Sequence, residues 1–221
     1  LDSLLSADGV LDPLRFAITV EDGVEMAASM LLTVNPFGSE KLNYEVPLIA
    51  ALNFGVAQGA KCIGQALQIA AEAGRAPHEM VKRVIDLANA SPQFRAMVGF
   101  NPGTEGLRIR DGITLIKVGR SHLNLPTPGT APEHLDISQR VSLSLVRMML
   151  FGSATALTNR DGVIMQDEAW TILNADPKEV ERLGRLARSQ RVLPILFSQD
   201  ISGAVRAGLQ GFISRGFVGP I

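Results

Sequence analysis

The first hundred residues alternate between dense apolar runs and turn signals, a pattern that predicts helices. From Val24 to Val34 the apolar residues are dense and lack the alternation of a strand, and Asn35-Pro36-Phe37-Gly38 ends the run. Residues 44–98 continue with apolar positions at helical spacing, which predicts three helices and a short helical piece. Pro47 is expected to open the first of these helices. Breaks are expected at Gly59, Gly74 and residues 89–93.

After Asn101-Pro102-Gly103 the pattern changes. Two short apolar runs flank Asp111-Gly112, which predicts a β-hairpin over residues 106–118. Residues 136–151 are apolar around most of a helix and therefore predict a long buried one. The last third predicts strands at 162–166, 191–198 and 215–218, with helices at 178–188 and 201–213. Because strands separated by a helix pair in parallel, the sequence predicts an α/β fold with a parallel sheet and an all-helical subdomain.

Composition and charge exclude several classes of function. Of 221 residues, 46% are hydrophobic and 19% are charged, which suffices for a large core and rules out intrinsic disorder. Lys plus Arg number 21 and Asp plus Glu 22, so bulk charge does not favour binding to nucleic acid. The single cysteine, Cys62, excludes a disulfide framework and fits a reducing compartment. No apolar stretch reaches the roughly 20 residues of a membrane span, so a soluble, intracellular chain is expected.

The candidate site lies where two predicted strands end. The strand at 162–166 runs directly into Asp167 and Glu168, and the strand at 192–197 ends in Ser198 and Gln199. Adjacent residues on a strand point to opposite sides, so the two acids can serve two tasks at one edge. In nucleotide hydrolases one carboxylate holds Mg²⁺, often through water, and the next polarises the attacking water. The alternative is that the acidic pair only caps the following helix.

Arginines between the two strands form a second candidate feature. Arg182, Arg185 and Arg188 follow a well-marked helix start at Asp176-Pro177. A guanidinium group can bind two phosphate oxygens at once. An arginine supplied across a subunit interface accelerates phosphoryl transfer by roughly 10³–10⁵-fold. Arg182 is expected on a solvated helix face with Glu179. For Arg188 both a phosphate contact and a solvated position remain open.

These motifs resemble the VirB- and TraC-type traffic ATPases that power type IV secretion and conjugation, within the FtsK–HerA class of hexameric P-loop motors. The similar features are Asp167-Glu168-Ala169-Trp170 after a strand, Arg188-Ser189 before a strand, and a strand ending in Ser198-Gln199. The segment from Gly9 to Leu14 also resembles the Asn/Asp-Pro turn of that family. Residues 36–100 would match its all-helical insertion.

The resemblance implies ATP and Mg²⁺ as cofactors and a role for each residue of the candidate site. Asp167 would be the Walker B acid that holds Mg²⁺ through water, and Glu168 would be the catalytic carboxylate. Gln199 would sense the γ-phosphate, with Ser198 beside it in the nucleotide site. Arg188 would be an arginine finger that reaches the nucleotide of a neighbouring subunit.

The chain departs from the family pattern in three ways. Gln166 stands where an apolar strand residue is usual, and Pro194 interrupts a strand that is expected to be central, where it costs a ladder hydrogen bond. The phosphate-loop pattern G-x-x-x-x-G-K-[ST] is absent, and the nearest string, residues 55–62, has the wrong spacing and follows a helix. Since the chain begins with Leu1, we expect it to be the downstream part of a larger ATPase and to be inactive alone.

The resemblance also implies an organisation and a biological role. It places a P-loop, RecA-like core at 1–35 and 101–221, the latter with the Walker B and sensor strands, around a helical subdomain at 36–100. The intact protein would couple ATP hydrolysis to substrate translocation or pilus assembly as a homo-oligomer, expected to be a hexamer. It would work with inner-membrane secretion components and a DNA or protein substrate, in the cytoplasm or peripherally at the inner face of the membrane. The alternatives are a double-stranded DNA translocase and a non-catalytic oligomerisation or interaction module.

Overall fold

The computed structural model describes residues 8–116, 123–127, 130–167 and 191–197. The chain divides into one unit of Leu1–Pro126 with Ala131–Ala156, and a second of Thr127–Thr130 with Leu157–Ile221. The predicted division into an ATPase core and a helical subdomain at 36–100 stays a prediction.

Helices account for most of the first unit. Its described residues form α1 (Pro13–Phe16), α2 (Val20–Val34), α3 (Lys41–Ala57), α4 (Ile63–Glu72), α5 (His78–Ala90), α6 (Pro92–Met97) and α7 (Ile137–Ala156), with 3₁₀ turns at Gly38–Glu40 and Pro132–His134. The helical prediction for 44–98 is therefore confirmed, as is the long helix predicted at 136–151.

Local capping explains where α2 begins and ends. The Thr19 hydroxyl accepts the Asp22 N–H at 3.1 Å, which satisfies a free donor of the first turn. Asn35 ends the helix in the left-handed conformation, with a φ of 55°, and donates its N–H to the Leu31 carbonyl. The predicted stop after Val34 is confirmed.

Helix α3 does not begin where the sequence indicated. It starts at Lys41, directly after the 3₁₀ turn, and Pro47 lies inside it. The prediction that Pro47 opens this helix is wrong. A proline in the second turn removes one hydrogen bond close to the helix start, and the remaining turns hold the helix together.

The helices pack closely around one apolar core. At Gly55 an added Cβ would lie 2.3 Å from the Ala66 carbonyl oxygen, so the crossing of α3 and α4 requires a glycine there. Helix α2 packs on α3 and α7, and α6 packs on α5 and α7. The largest fully buried side chains include Leu31, Leu48, Leu52, Leu67, Met80, Phe94 and Leu145. Each such side chain contributes about 1.5–3 kcal/mol through burial.

A buried aspartate joins the first helix to two distant segments. Asp12 is 0% exposed, and its Oδ1 accepts the Leu14 N–H at 3.0 Å, which caps α1. Its Oδ2 accepts the N–H groups of Ile63 at 2.8 Å and Gly99 at 2.9 Å. The segment preceding Ala17 thus contains a helix and a structural anchor.

Asp12 makes the stability of the protein depend on pH. Burial raises the pKa of its carboxyl from 3.8 to about 7, although hydrogen bonds from Ile63, Gly99 and Leu14 oppose this shift. Because the folded state binds this proton more tightly than the unfolded chain, the stabilisation is complete below pH 3.8 and is lost as the pH rises to about 7. Relative to Asp12→Asn, we expect the wild-type free energy of unfolding to fall by up to about 1.4 kcal/mol per pH unit in this window. Urea unfolding across that range checks this, and parallel pH profiles of the two proteins would contradict it.

The predicted hairpin at 106–118 is wrong over its described part. Residues 101–116 contain no strand, although Gly112 adopts a φ of 96° and marks a turn at the expected position. Ile113 and Leu115 are exposed, so the apolar packing that a two-stranded hairpin needs is missing. The chain enters α7 at Asp136, whose Oδ1 accepts the Gln139 N–H at 2.8 Å.

The second unit contains a parallel pair of strands. Strand β1 (Val163–Gln166) pairs with β2 (Leu193–Leu196), with Val163 opposite Leu193 and Gln166 opposite Leu196. The predicted parallel pairing is confirmed, and the described fold is a helix-rich α/β structure. A RecA-like core stays a prediction. The predicted helices at 178–188 and 201–213 and the strand at 215–218 lie outside the described residues.

Pro194 does not disturb this pair. The Leu193 N–H donates to the Gly162 carbonyl, and the Phe197 N–H donates to the Gln166 carbonyl, both at 2.9 Å. Since alternate residues of a strand face opposite edges, the Pro194 nitrogen faces away from β1. The expected loss of a ladder hydrogen bond therefore does not occur between β1 and β2.

Among the helices of the described residues, none has the length and apolar character needed to cross a membrane.

Candidate functional site

The candidate site begins at the carboxyl edge of β1 and β2. The hydrogen bond from Phe197 to Gln166 closes the ladder at this edge, so both strands end at the same level. Asp167 directly follows β1, and its side chain is exposed. An acidic side chain therefore stands at the end of a parallel strand, where α/β folds bind their ligands.

Gln166, the polar residue at an unusual position, has a local role. Its side-chain Nε2 donates to the Asp167 backbone carbonyl at 2.7 Å. Its own carbonyl accepts the Phe197 N–H, so the residue bonds both to β2 and to the peptide that follows the strand. An amide at this place fixes the backbone from which the acidic pair projects, which an apolar side chain does not do.

The opposite edge of the strand pair carries an ion pair. Asp161 and Arg191 lie 2.8 Å apart with both side chains 65% exposed, so the pair contributes little to stability. Both residues have positive φ values, 50° and 58°, which marks tight turns into the two strands. At about 3.3 Å per residue, the length of β2 separates this edge from Asp167 by more than 10 Å.

The described residues include one member of the predicted site. Asp167 lies at the carboxyl edge as the sequence predicted. The other predicted site residues, Glu168, Arg188, Ser198 and Gln199, lie outside the described residues. The observed register brings Gln166 and Leu196 side by side, and in the sequence Glu168 and Ser198 each come two residues after this pair. Their roles stay predictions.

The chemistry of Asp167 fits a magnesium ion. Within the described ranges no three His, Cys, Asp or Glu side chains gather into a metal cluster. Mg²⁺ usually keeps several waters and binds one or two carboxylates together with substrate phosphates, so it does not need such a cluster. An exposed carboxylate at a strand end is therefore a suitable ligand, directly or through water. The phosphate-binding part of a nucleotide site has no counterpart in the sequence.

The string at residues 55–62 is confirmed as unrelated to a phosphate loop. It spans the end of α3 and the residue before α4, where Gly55 is buried against Ala66. Cys62 is also buried, and burial raises the pKa of its thiol, so it is not a reactive nucleophile.

Sequence reasoning missed a cluster of buried charges near the first helix. Besides Asp12, it contains Asp8 and Arg15, whose side chains are 17% and 5% exposed. Asp8 accepts the N–H groups of Phe100 and Asn101, both at 2.8 Å. The available signal was Asp12 before Pro13, an N-cap followed by a proline at the first helical position. Nothing in the sequence pointed to its partners some 50 to 90 residues away.

The described structure defines a helix-rich α/β protein with an acidic residue at the carboxyl edge of a parallel strand pair. Within that class the chain belongs to the AAA-like domain family, whose family model matches residues 1–218. This is a family of P-loop ATPases. No curated protein and no solved structure gives a significant match to the chain.

Proposed function

We propose that the chain is part of a motor ATPase of conjugative transfer or type IV secretion, with Asp167 and Glu168 as the acids of its nucleotide site. The observation that carries this is the position of Asp167 at the carboxyl edge of parallel strands in a member of the AAA-like family. The sequence contains no G-x-x-x-x-G-K-[ST] pattern, and the proposal takes the phosphate loop to be supplied by residues other than these 221. The chain alone is therefore expected to bind ATP poorly.

The two acids would divide the chemistry between them. Asp167 would hold Mg²⁺ through a water ligand, and the bound ion would neutralise charge on the phosphates. Glu168 would accept a proton from the attacking water as a general base. The Gln199 amide would orient that water against the γ-phosphate, and the Ser198 hydroxyl would donate to a phosphate oxygen. The shared level at which β1 and β2 end supports this grouping.

Arg188 would act on the nucleotide of a neighbouring subunit. The proposal that it acts in trans, as an arginine finger, rests on the resemblance.

Such a finger requires assembly. We propose a homo-oligomer, a hexamer in keeping with the resemblance, that works with inner-membrane components of a secretion or conjugation machine. It would lie in the cytoplasm or at the inner face of the membrane and move a DNA or protein substrate.

Replacing Asp167 by Asn tests the magnesium role. In a protein that joins this chain to its phosphate loop, we expect Asp167→Asn to raise the Mg²⁺ concentration needed for half-maximal hydrolysis and to lower kcat about 10- to 100-fold. The physical reason is the loss of the carboxylate charge that holds the hydrated ion. Steady-state hydrolysis measured over a Mg²⁺ titration checks this.

Asp161→Asn is the matched control. Asp161 is an exposed aspartate of the same strand pair at the opposite edge, so its loss should leave the Mg²⁺ dependence unchanged. If both variants hydrolyse ATP like the wild type, the acidic pair is structural and a non-catalytic interaction module becomes the better interpretation. Hydrolysis stimulated only by double-stranded DNA would instead support a DNA translocase.

A further inference from the structure

The buried charges beside α1 hold three parts of the first unit together. Asp8 pairs with the Arg95 side chain at 2.9 Å and accepts two backbone N–H groups, those of Phe100 and Asn101. Asp12 bonds to the first residue of α4 and to Gly99. Arg15 donates to the carbonyls of Asp8, Gly9 and Asn101 at 2.5–2.9 Å. We call Asp8, Asp12 and Arg15, with the backbone they hold, the junction.

Backbone hydrogen bonds run through the same place. The N–H groups of Gly9 and Leu11 donate to the carbonyls of Arg95 and Ala96 in α6, at 2.9 and 2.8 Å. The Leu107 N–H donates to the Val10 carbonyl at 2.8 Å. At Gly9 an added Cβ would lie 2.3 Å from the Gly99 Cα, so the two backbones are in direct contact.

This geometry leaves no room for a hinge between residues 8–16 and the helices behind them. Most of these bonds are buried or partly buried. Opening the segment at one point would leave buried N–H groups and charges without partners at the others.

We propose that the junction makes residues 8–16 and helices α4 to α6 a single rigid body, so that any displacement of the segment is passed undiminished to α4 and to residues 99–101. The inference goes beyond the proposed ATPase function and does not depend on it. It identifies the contacts through which a displacement of residues 8–16 would reach α4 and residues 99–101.

Native-state hydrogen exchange of the 221-residue chain at increasing denaturant tests the proposal. The probes are the junction amides Gly9, Leu11, Ile63, Gly99, Phe100, Asn101 and Leu107. We expect them to exchange with the same opening free energy and denaturant dependence as Leu67 and Ala70, buried residues of α4. Junction amides that exchange more than tenfold faster than these, with little denaturant dependence, would show a separate opening and overturn the proposal.

Asp12→Asn provides the second arm. A rigid body predicts that protection changes by one common factor at all junction amides and at Leu67. This includes Phe100 and Asn101, which bond to Asp8 and not to Asp12. Faster exchange confined to Ile63, Gly99 and Leu14 would mean that each bond opens alone, and the proposal would fail. If the variant does not fold, the wild-type measurement decides by itself.

Discussion

Replacing Asp12 by Ala is expected to lower the free energy of unfolding by about 3–5 kcal/mol. The change leaves the N–H groups of Leu14, Ile63 and Gly99 without an acceptor, and the two that bond Oδ2 are buried. Each buried donor left unpaired costs about 1–3 kcal/mol, and the small cavity adds to this. Urea unfolding followed by circular dichroism, at a pH near 7, measures the difference.

A graded series separates the hydrogen bonds from the side-chain volume. Asp12→Asn keeps the shape, but its Nδ2 can accept nothing, so its remaining oxygen serves at most the two donors at the Oδ2 position. We expect Asp12→Asn to be more stable than Asp12→Ala, with a cost relative to the wild type that shrinks as the pH rises toward 7. Asp86→Ala is the control, because its side chain is 56% exposed and pairs with Lys82 on the surface of α5, so it should cost less than about 1 kcal/mol. An Asp12→Ala variant as stable as the Asp86→Ala variant would refute the anchoring role.

Replacing Glu168 by Gln is expected to lower ATP hydrolysis by about 10²–10⁴-fold in a protein that contains both this chain and its phosphate loop. Under the proposed function, Gln keeps the size of the side chain but cannot accept the proton of the attacking water. Nucleotide binding should change little, because Asp167 and the phosphate loop would hold Mg²⁺ and ATP. Single-turnover hydrolysis and equilibrium binding of a fluorescent ATP analogue measure the two effects separately.

Glu133→Gln serves as the control for this variant, since Glu133 is exposed in the 3₁₀ turn before α7. It should hydrolyse ATP at the wild-type rate. Unchanged turnover in Glu168→Gln would mean that the acidic pair caps a helix, and the assignment of Glu168 as the general base would be wrong. A parallel loss of binding and hydrolysis would instead indicate a role in folding.

Local patterns predicted the elements well where the signal lay within a few residues. The stop at Asn35, the three middle helices, α7 and the two strands all follow from periodicity and turn chemistry. The start of α3 was predicted wrongly at Pro47 because a helix can contain a proline in its second turn as well as at its first position. A proline alone therefore does not fix where a helix begins. The prediction of a hairpin at 106–118 was wrong over its described part because a turn signal such as Asp111-Gly112 is not enough. The flanking segments pair as strands only when other residues cover their apolar side chains.

The candidate site was predictable at Asp167 because an acid that follows a short apolar strand is a local motif. Its neighbourhood was not predictable in the same way. Which edge of β2 the nitrogen of Pro194 faces depends on the register with β1, and the hydrogen bond from Gln166 to the next carbonyl depends on how the strand ends. Neither feature can be predicted from the sequence alone.

The sequence by itself determined the class of this protein: an α/β chain with helices in its first half, parallel strands after Gly162, and an acid at the end of the first. These features depend on interactions between residues that are close in the chain. Only the tertiary structure decided that Asp12 caps α1 and also anchors Ile63 and Gly99. The reason is that the role of a buried carboxyl group depends on the hydrogen-bond donors that folding brings to it, and Ile63 and Gly99 lie 51 and 87 residues away in the sequence.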